Sequence, residues 1–529
     1  MRQKVLLRII IGITLFILVA MLLTKVVVEP WTGKKIQASL SKKSGEYLIK
    51  IEKVHVSILH SGIELKNITL LSKSENEGQP ELTGKIESVK FKGIHLIKAI
   101  FRKDIVISKV DVINSRIIGK VAFQRKNRTT RISPVNIRIE NLIFDKLFID
   151  LKDTSTAQSY LVKDGVLKLY DINVEKQDTL SPDIIRQFDF DLPEFKTVTA
   201  DSLYTFSAIG INYSATSNTL KVDSFAILPN YKEYGFTARS KFQTNRIEAN
   251  LSGLIFHNFS AADYIQSGNI ISSHIEIGGL EMRIFKDKRK EFKHENKPAF
   301  QDMIYNYPHT LNIDSIGITG GNIVYTEHAE KAIEKGNISF NEIDATIYKI
   351  TNDTIYKAEK AYFELKANAL LMNKGKLSIL LKAIIFDNQN TFTVNGTLSG
   401  MEVAELNPIL EKSASITITS GKINILIFSF SANNTKATGN LKLLYKALKF
   451  DMMDRQTGET TAIKEQVKSL IASIIVIESN PMPGEEVRSG IIEFERDPER
   501  FVFGYFFRAL MSGMRTSVMK TKSPKKLKK

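Results

Sequence analysis

At 529 residues and 43% hydrophobic content, the chain is long enough for several domains or one extended one, and it is not a disordered chain. The formal net charge of +17 suits an anionic partner, nucleic acid or membrane, although much of it reads as solvated lysine on polar strand faces. There is no cysteine, which excludes disulfides, thiolate metal sites and cysteine nucleophiles.

The first readable segment is VLLRIIIGITLFILVAMLLT, residues 5–24, with a single charge. Twenty such residues suffice to cross about 30 Å of hydrocarbon as a helix. Arg2, Lys4 and Arg8 stand at its start, and no small-residue cleavage site precedes the KVVVEPWTGKK that follows. It therefore reads as an uncleaved anchor rather than a signal peptide. Lys25, Lys34, Lys35, Lys42 and Lys43 put a basic cluster on the far side as well. A short head and a long tail still make a cytoplasmic N-terminus and an external domain the simpler topology. Residues 1–28 are assigned to this anchor.

From about Tyr47 to Phe450 the hydrophobic period is two, as in VKFKGIHL with Val89, Phe91, Ile94 and Leu96, or VNIRIE with Val135, Ile137 and Ile139. Glycine signals at KDG (163–165), TGG (319–321), NKG (373–375) and TSG (419–421) predict turns. Around the second of these, HTLNIDSIGITGGNIVYTE reads as a strand, a glycine turn and a second strand. The pattern predicts a long antiparallel meander with few helical interruptions. A loose cassette recurs between residues 147–175 and 311–352, alike in pattern rather than identity. The charged stretch KDKRKEFKHENKP, 286–298, separates residues 29–285 from 299–450, either as a boundary or as a long loop on one continuous sheet.

Beyond residue 450 the pattern turns helical. Ile463, Val467, Leu470, Ile471 and Ile474 recur at helical spacing. After the short strand SGIIEFE, the segment PERFVFGYFFRALMSGMRTSVM carries a wide apolar face of Phe503, Phe506, Phe507, Leu510 and Met514 against a polar stripe of Arg508, Ser512 and Arg515. Residues 451–518 are read as a helical and short-strand cap, and 519–529 as a disordered cationic tail.

The chemistry-bearing patterns are thin. The eight histidines form no HExxH or H-x-H arrangement, and no P-loop, nucleophile elbow or dinucleotide fingerprint is present. No catalytic residue, metal or cofactor is assigned, and the chain is read as a non-enzyme; an envelope hydrolase remains conceivable only because carboxylates are common. An RNA-binding sheet would interleave aromatics with its lysines, whereas the apolar positions here are mainly Ile, Val and Leu, which argues against nucleic acid.

A long sheet with one oily face needs a lid. Two solutions satisfy it: the sheet folds on itself as a dry sandwich, or it curls lengthwise into an open trough that holds acyl chains. Periodicity alone favours the sandwich.

The block VHVSILHSGIELKNITLLS (54–72), IESVKFKGIHLIKAIFRKDIVISKVDVINSRI (86–117), the stretch 311–352 and GTLSGMEVAELNPILEKSASITITSGKINILIFSFSANNTKATGNLKLLYKALKF (396–450) together resemble the AsmA-like proteins of bacterial envelopes, in particular the DUF748-type branch seen in Bacteroidota. The resemblance implies an inner-membrane anchor and a β groove in the periplasm that moves phospholipid toward the outer membrane and supports its assembly, passively or driven by a partner. Implied partners are a phospholipid or other acyl lipid, the inner membrane, and outer-membrane or assembly proteins. On this reading Ile313, Ile316, Ile318, Ile323, Tyr325, Ile338, Phe340 and Ile343 line the acyl-chain path. Phe503, Phe506, Phe507, Arg508, Leu510 and Arg515 rest on an anionic leaflet or cap the open end of the sheet. The alternative is a non-transporting periplasmic scaffold whose sheet is closed and dry.

Overall fold

The computed structural model describes residues 47–57, 62–72, 81–95, 104–121, 136–175, 185, 187–357, 362–453 and 474–521. The anchor expected at 5–24, most of the helix expected around 463–474, and residues 522–529 of the basic tail lie outside the described residues. Among the described residues no helix is long and apolar enough to cross a membrane.

The fold is mainly β. In chain order come β1 (Tyr47–Ser57), β2 (Gly62–Ser72), β3 (Glu81–Ile94), β4 (Asp104–Val121), β5 (Asn136–Asp153), β6 (Ser159–Val174), β7 (Gln187–Val198), β8 (Tyr204–Ser214) and β9 (Thr219–Pro229). Then follow α1 (Glu233–Thr237), β10 (Asn245–His257), α2 (Ala261–Ser267), β11 (Ile270–Ser272), β12 (His274–Asp287), α3 (Phe300–Tyr305), β13 (Leu311–His328), β14 (Gly336–Thr351), β15 (Tyr362–Leu371), β16 (Gly375–Ile384) and β17 (Phe392–Glu402). The last are α4 (Asn407–Ala414), β18 (Ile416–Ala432), β19 (Lys436–Met452), β20 (Ile474–Val476), β21 (Ser489–Glu495), α5 (Val502–Val518) and β22 (Met519–Thr521). The chain divides into two compact units, one holding residues up to Asn230 with Gly253–Ser272, the other Tyr231–Ser252 with everything from Ser273. The charged stretch 286–298 lies inside the second unit.

In the first unit β1 to β9 pair each with the next. Residues directly opposite one another share a face, so one apolar row crosses the sheet through Leu65, Val89, Val112, Phe144, Leu167, Phe190, Tyr213 and Leu220. This face is closed over β2 to β6: Leu65, Val110, Ile137, Ile139, Leu169 and Ile172 are at most 1% exposed and belong to one cluster, while Phe190 and Leu220 farther along are partly exposed. The opposite face carries carboxylates flanked by lysines of the same and the neighbouring strand, as in Glu64 with Lys66 and Lys90, Asp111 with Lys92 and Lys109, and Glu194 with Lys163 and Lys196. Exposed pairs of this kind add little stability. They keep the outer face wet, and two lysines per acid help explain the positive net charge.

In the second unit β12 to β19 pair in sequence, and β21 adds to β19. Its outer face repeats the motif, with Glu364 between Lys366 and Lys382.

Three expectations are corrected. The meander is not purely antiparallel, because β4–β5 and β12–β13 run parallel. A parallel pair needs a crossover of a dozen or more residues, and residues 122–135 and 288–310, the latter containing α3, are long enough to provide one. Second, the glycine signals at 163–165, 319–321 and 419–421 are not turns. They lie inside the continuous strands β6, β13 and β18, at ladder irregularities with left-handed residues at Asp164, Gly320 and Gly421. A left-handed residue serves a β-bulge as well as a turn, because both accommodate a local change in chain direction. Only NKG at 373–375 is a hairpin turn, between β15 and β16. Third, Ile474 is not helical. β20 pairs with β22, so the segment read as the start of a disordered tail at 519–521 is a strand.

The cassette has a structural counterpart. β5 and β13 are both 18 residues and their hairpin partners β6 and β14 both 16. Each long strand pairs in parallel with its predecessor and slips register mid-strand against its successor, with left-handed Lys146 and Asp164 in one copy and Gly320 and Glu342 in the other. Such bulges bend and twist their strands.

Candidate functional site

Two apolar rows cross the second unit. One runs Ile275, Ile316, Ile347, Leu365, Leu381, Val394, Phe430, Gly439, Ile492; its neighbour runs Ile277, Ile318, Ala345, Ala367, Ile379, Gly396, Phe428, Leu441, Gly490. Nine strands at about 4.8 Å spacing make each row roughly 38 Å long.

Burial changes along the rows. Val394, Phe430 and Ile492 are 0%, 3% and 1% exposed, whereas Ile316, Ile347, Leu365 and Leu381 on the same row remain partly exposed. Helix α5 causes the difference. Its Phe506 ring lies 5.5 Å from Phe430 and 6.2 Å from Phe428, and Tyr505 meets Phe392 edge-on at 6.2 Å. The approach is close because two glycines face each other: a Cβ on Gly490 would sit 2.2 Å from the Gly513 carbonyl oxygen. The helix also finishes the sheet edge. Thr516 Oγ1 accepts from Ile491 N at 2.8 Å, and Ser512 Oγ accepts from Glu493 N at 3.2 Å, so side-chain hydroxyls satisfy edge amides that would otherwise recruit another strand.

Among the described residues, the cover over β13 to β16 is confined to the ends of the strands. At one end α3 places Phe300 5.2 Å from Phe363 and 6.3 Å from Phe392. At the other, α4 lies against Gly336, whose Cβ position is 2.7 Å from Pro408 O. Between them the middle rows are left half-open. From β13 to β16 this opening measures about 14 Å across the strands, close to the roughly 15 Å of one leaflet's hydrocarbon.

The apolar rows end in polar groups. Beyond the row Ile284, Tyr325, Ile338 comes the row Lys286, Glu327, Gly336. Glu327 is 6% exposed and accepts from Ser413 Oγ at 2.7 Å and from Tyr325 OH at 3.0 Å, while Lys288 Nζ is 2.5 Å away. Burial pushes its carboxyl up, but Lys288, Ser413 and Tyr325 outweigh that and hold it below the ordinary range. The Tyr325 phenol is raised, by burial first and then by Glu327. Lys286 is lowered, chiefly by burial and then by the charges of Lys288 and Arg500.

The expected lining residues separate into groups. Ile316, Ile318, Ile323 and Tyr325 are partly exposed. Ile338 and Phe340 are also partly exposed and pack against the cluster beneath α5. Ile313 and Ile343 are buried, at 7% and 9% exposure, and Ile343 sits opposite Gly321 at the bulge. Of the helix residues, Phe506 and Leu510 pack onto the sheet, while Phe503, Phe507, Arg508 and Arg515 face solvent. Period-two reading missed Ile347, Leu365, Ile379 and Leu381, because a row across strands has no signature along the chain. It also missed α4, whose proline at the first turn is a helix-start signal. Among the described residues no group of His, Asp and Glu is placed to hold a metal ion.

No family model matches the chain, and no curated protein matches it.

Proposed function

We propose that the protein holds acyl chains of phospholipid against the half-open face of β13 to β16, as an AsmA-like envelope protein anchored in a bacterial inner membrane through residues 5–24. The observation that carries the reading is the break in burial along a single row: 6% exposed at Ile275 and 0% at Val394 under α5, but partly exposed at Ile316, Ile347, Leu365 and Leu381 between them. Exposed contiguous apolar surface costs free energy in water and is relieved by an apolar occupant. The role on this reading is binding and passage, with the outer membrane as the destination that the family resemblance suggests.

A second reading, the non-transporting scaffold, draws on the first unit, whose apolar face is closed over β2 to β6. The two are separated by Ile316→Glu with Ile318→Glu. On an open face the charges reach water and the variant folds but purifies without phospholipid. In a dry core they misfold the unit, because an unpaired buried carboxylate costs several kcal/mol, about 3 or more. A folded variant with undiminished lipid would contradict the placement.

A further inference from the structure

The perimeter of α5 is divided. Val502, Tyr505, Phe506, Ala509, Leu510 and Gly513 face the sheet. The other side, an arc of about 140° at 100° per residue, carries Phe503, Phe507 and Met511 at 82%, 55% and 41% exposure, then Arg508 and Arg515. Phe501, 50% exposed, extends the stripe at the helix start. Four of the twenty large hydrophobics most exposed among the described residues, Phe501, Phe503, Phe507 and Met511, lie on this stripe. A sheet-stapling helix has no structural need for a second aromatic stripe, and solvated phenylalanines at successive turns are costly unless something covers them.

Charge identifies the cover. From Arg500 to Lys529 the sequence holds Arg500, Arg508, Arg515 and six lysines and no Asp or Glu, and the acid just before it, Asp497, lies 3.3 Å from Arg500 and 3.9 Å from Arg508. Aromatic side chains beside cations on one helix face, followed by a polybasic tail, match the surface of an anionic bilayer: the rings enter the headgroup boundary and the cations meet lipid phosphates. A protein partner would have to present an apolar groove rimmed by acids, and nothing on the surface requires such a shape. We infer that the solvent-facing side of α5, through Phe501, Phe503, Phe507, Met511, Arg508 and Arg515, docks onto an anionic phospholipid surface. The helix thus closes the sheet with one face and binds a membrane with the other. The inference stands beside the acyl-chain reading and uses none of its residues.

The full chain, which has no native thiol, is purified in neutral phosphatidylcholine nanodiscs with Met511→Cys carrying an environment-sensitive fluorophore, and vesicles are added. Phosphatidylglycerol-rich vesicles are expected to blue-shift the probe, with the shift suppressed at high salt; pure phosphatidylcholine vesicles are not. Arg508→Gln with Arg515→Gln should weaken binding about tenfold or more. Phe503→Ser with Phe507→Ser should abolish it while leaving thermal unfolding and co-purified lipid unchanged, because neither ring packs on the sheet. Ile316→Glu with Ile318→Glu should lose lipid yet still dock, so the two readings fail separately. No shift with anionic vesicles, an equal shift with neutral ones, or a shift that requires an added envelope protein would overturn the proposal.

Discussion

Four leucines in one cross-strand row, Leu377, Leu398, Leu426 and Leu443, allow the open face to be measured by identical substitutions. Leu426 is 3% exposed in the cluster that α5 joins, whereas Leu377 is partly exposed on β16. Leu426→Ala removes transfer free energy and leaves a cavity, for a cost of about 2–5 kcal/mol. Leu377→Ala leaves no sealed cavity, because water reaches the site, and loses only part of a transfer term, about 1 kcal/mol. Urea unfolding of lipid-free protein, followed by a probe in the second unit, should show a midpoint shift two or more times larger for Leu426→Ala at unchanged slope. Loading with phospholipid should then raise the cost of Leu377→Ala, since an acyl chain replaces water as its neighbour, and leave Leu426→Ala unmoved. Equal costs in lipid-free protein would mean that the face over β16 is closed and the reasoning fails.

Thr516→Val with Ser512→Ala strips the hydroxyls from the β21 edge. A loss of about 0.5–1.5 kcal/mol per bond and concentration-dependent self-association in sedimentation are expected. Gly320 has left-handed φ at +67° and nothing within 4 Å of its Cβ position, so strain alone decides a substitution there. Gly320→Val should cost about 1–2 kcal/mol in thermal unfolding and Gly320→Asn distinctly less. Glu327 has a lowered folded pKa. Its contribution is therefore fully present above the unfolded carboxylate value, about 4.3, and is lost as pH falls through the lower folded value. Glu327→Gln should flatten the acid limb of a stability-against-pH curve.

The strands were legible because alternation survives in nearly every one: β3, β5 and β18 bury every second residue over long runs, and Ile137 and Ile139 were already marked by polar neighbours. Glycine context was ambiguous. Gly320 and Gly375 both follow polar residues, yet one marks a bulge and the other a hairpin, and the difference lies in whether the chain reverses, a property of the pairing strand. The amphipathic pattern of α5 was visible, but the face it spends on the sheet was not. Phe506 and Phe507 are adjacent in sequence and look alike, and only the position of Phe428 and Phe430 decides that the first packs and the second stays in water. The half-open face was the least legible feature. Its members, Ile316, Ile347, Leu365 and Leu381, come from four strands and are brought into line by register.

The most direct test places a photoreactive residue at Leu365, at Val394 on the same row, or at Lys366 on the opposite face, irradiates cells, and reads adducts on the purified chain by mass spectrometry. The acyl-chain reading predicts phospholipid adducts at Leu365 and none at Val394 or Lys366. Absence of lipid at Leu365, or equal labelling at all three positions, would contradict it.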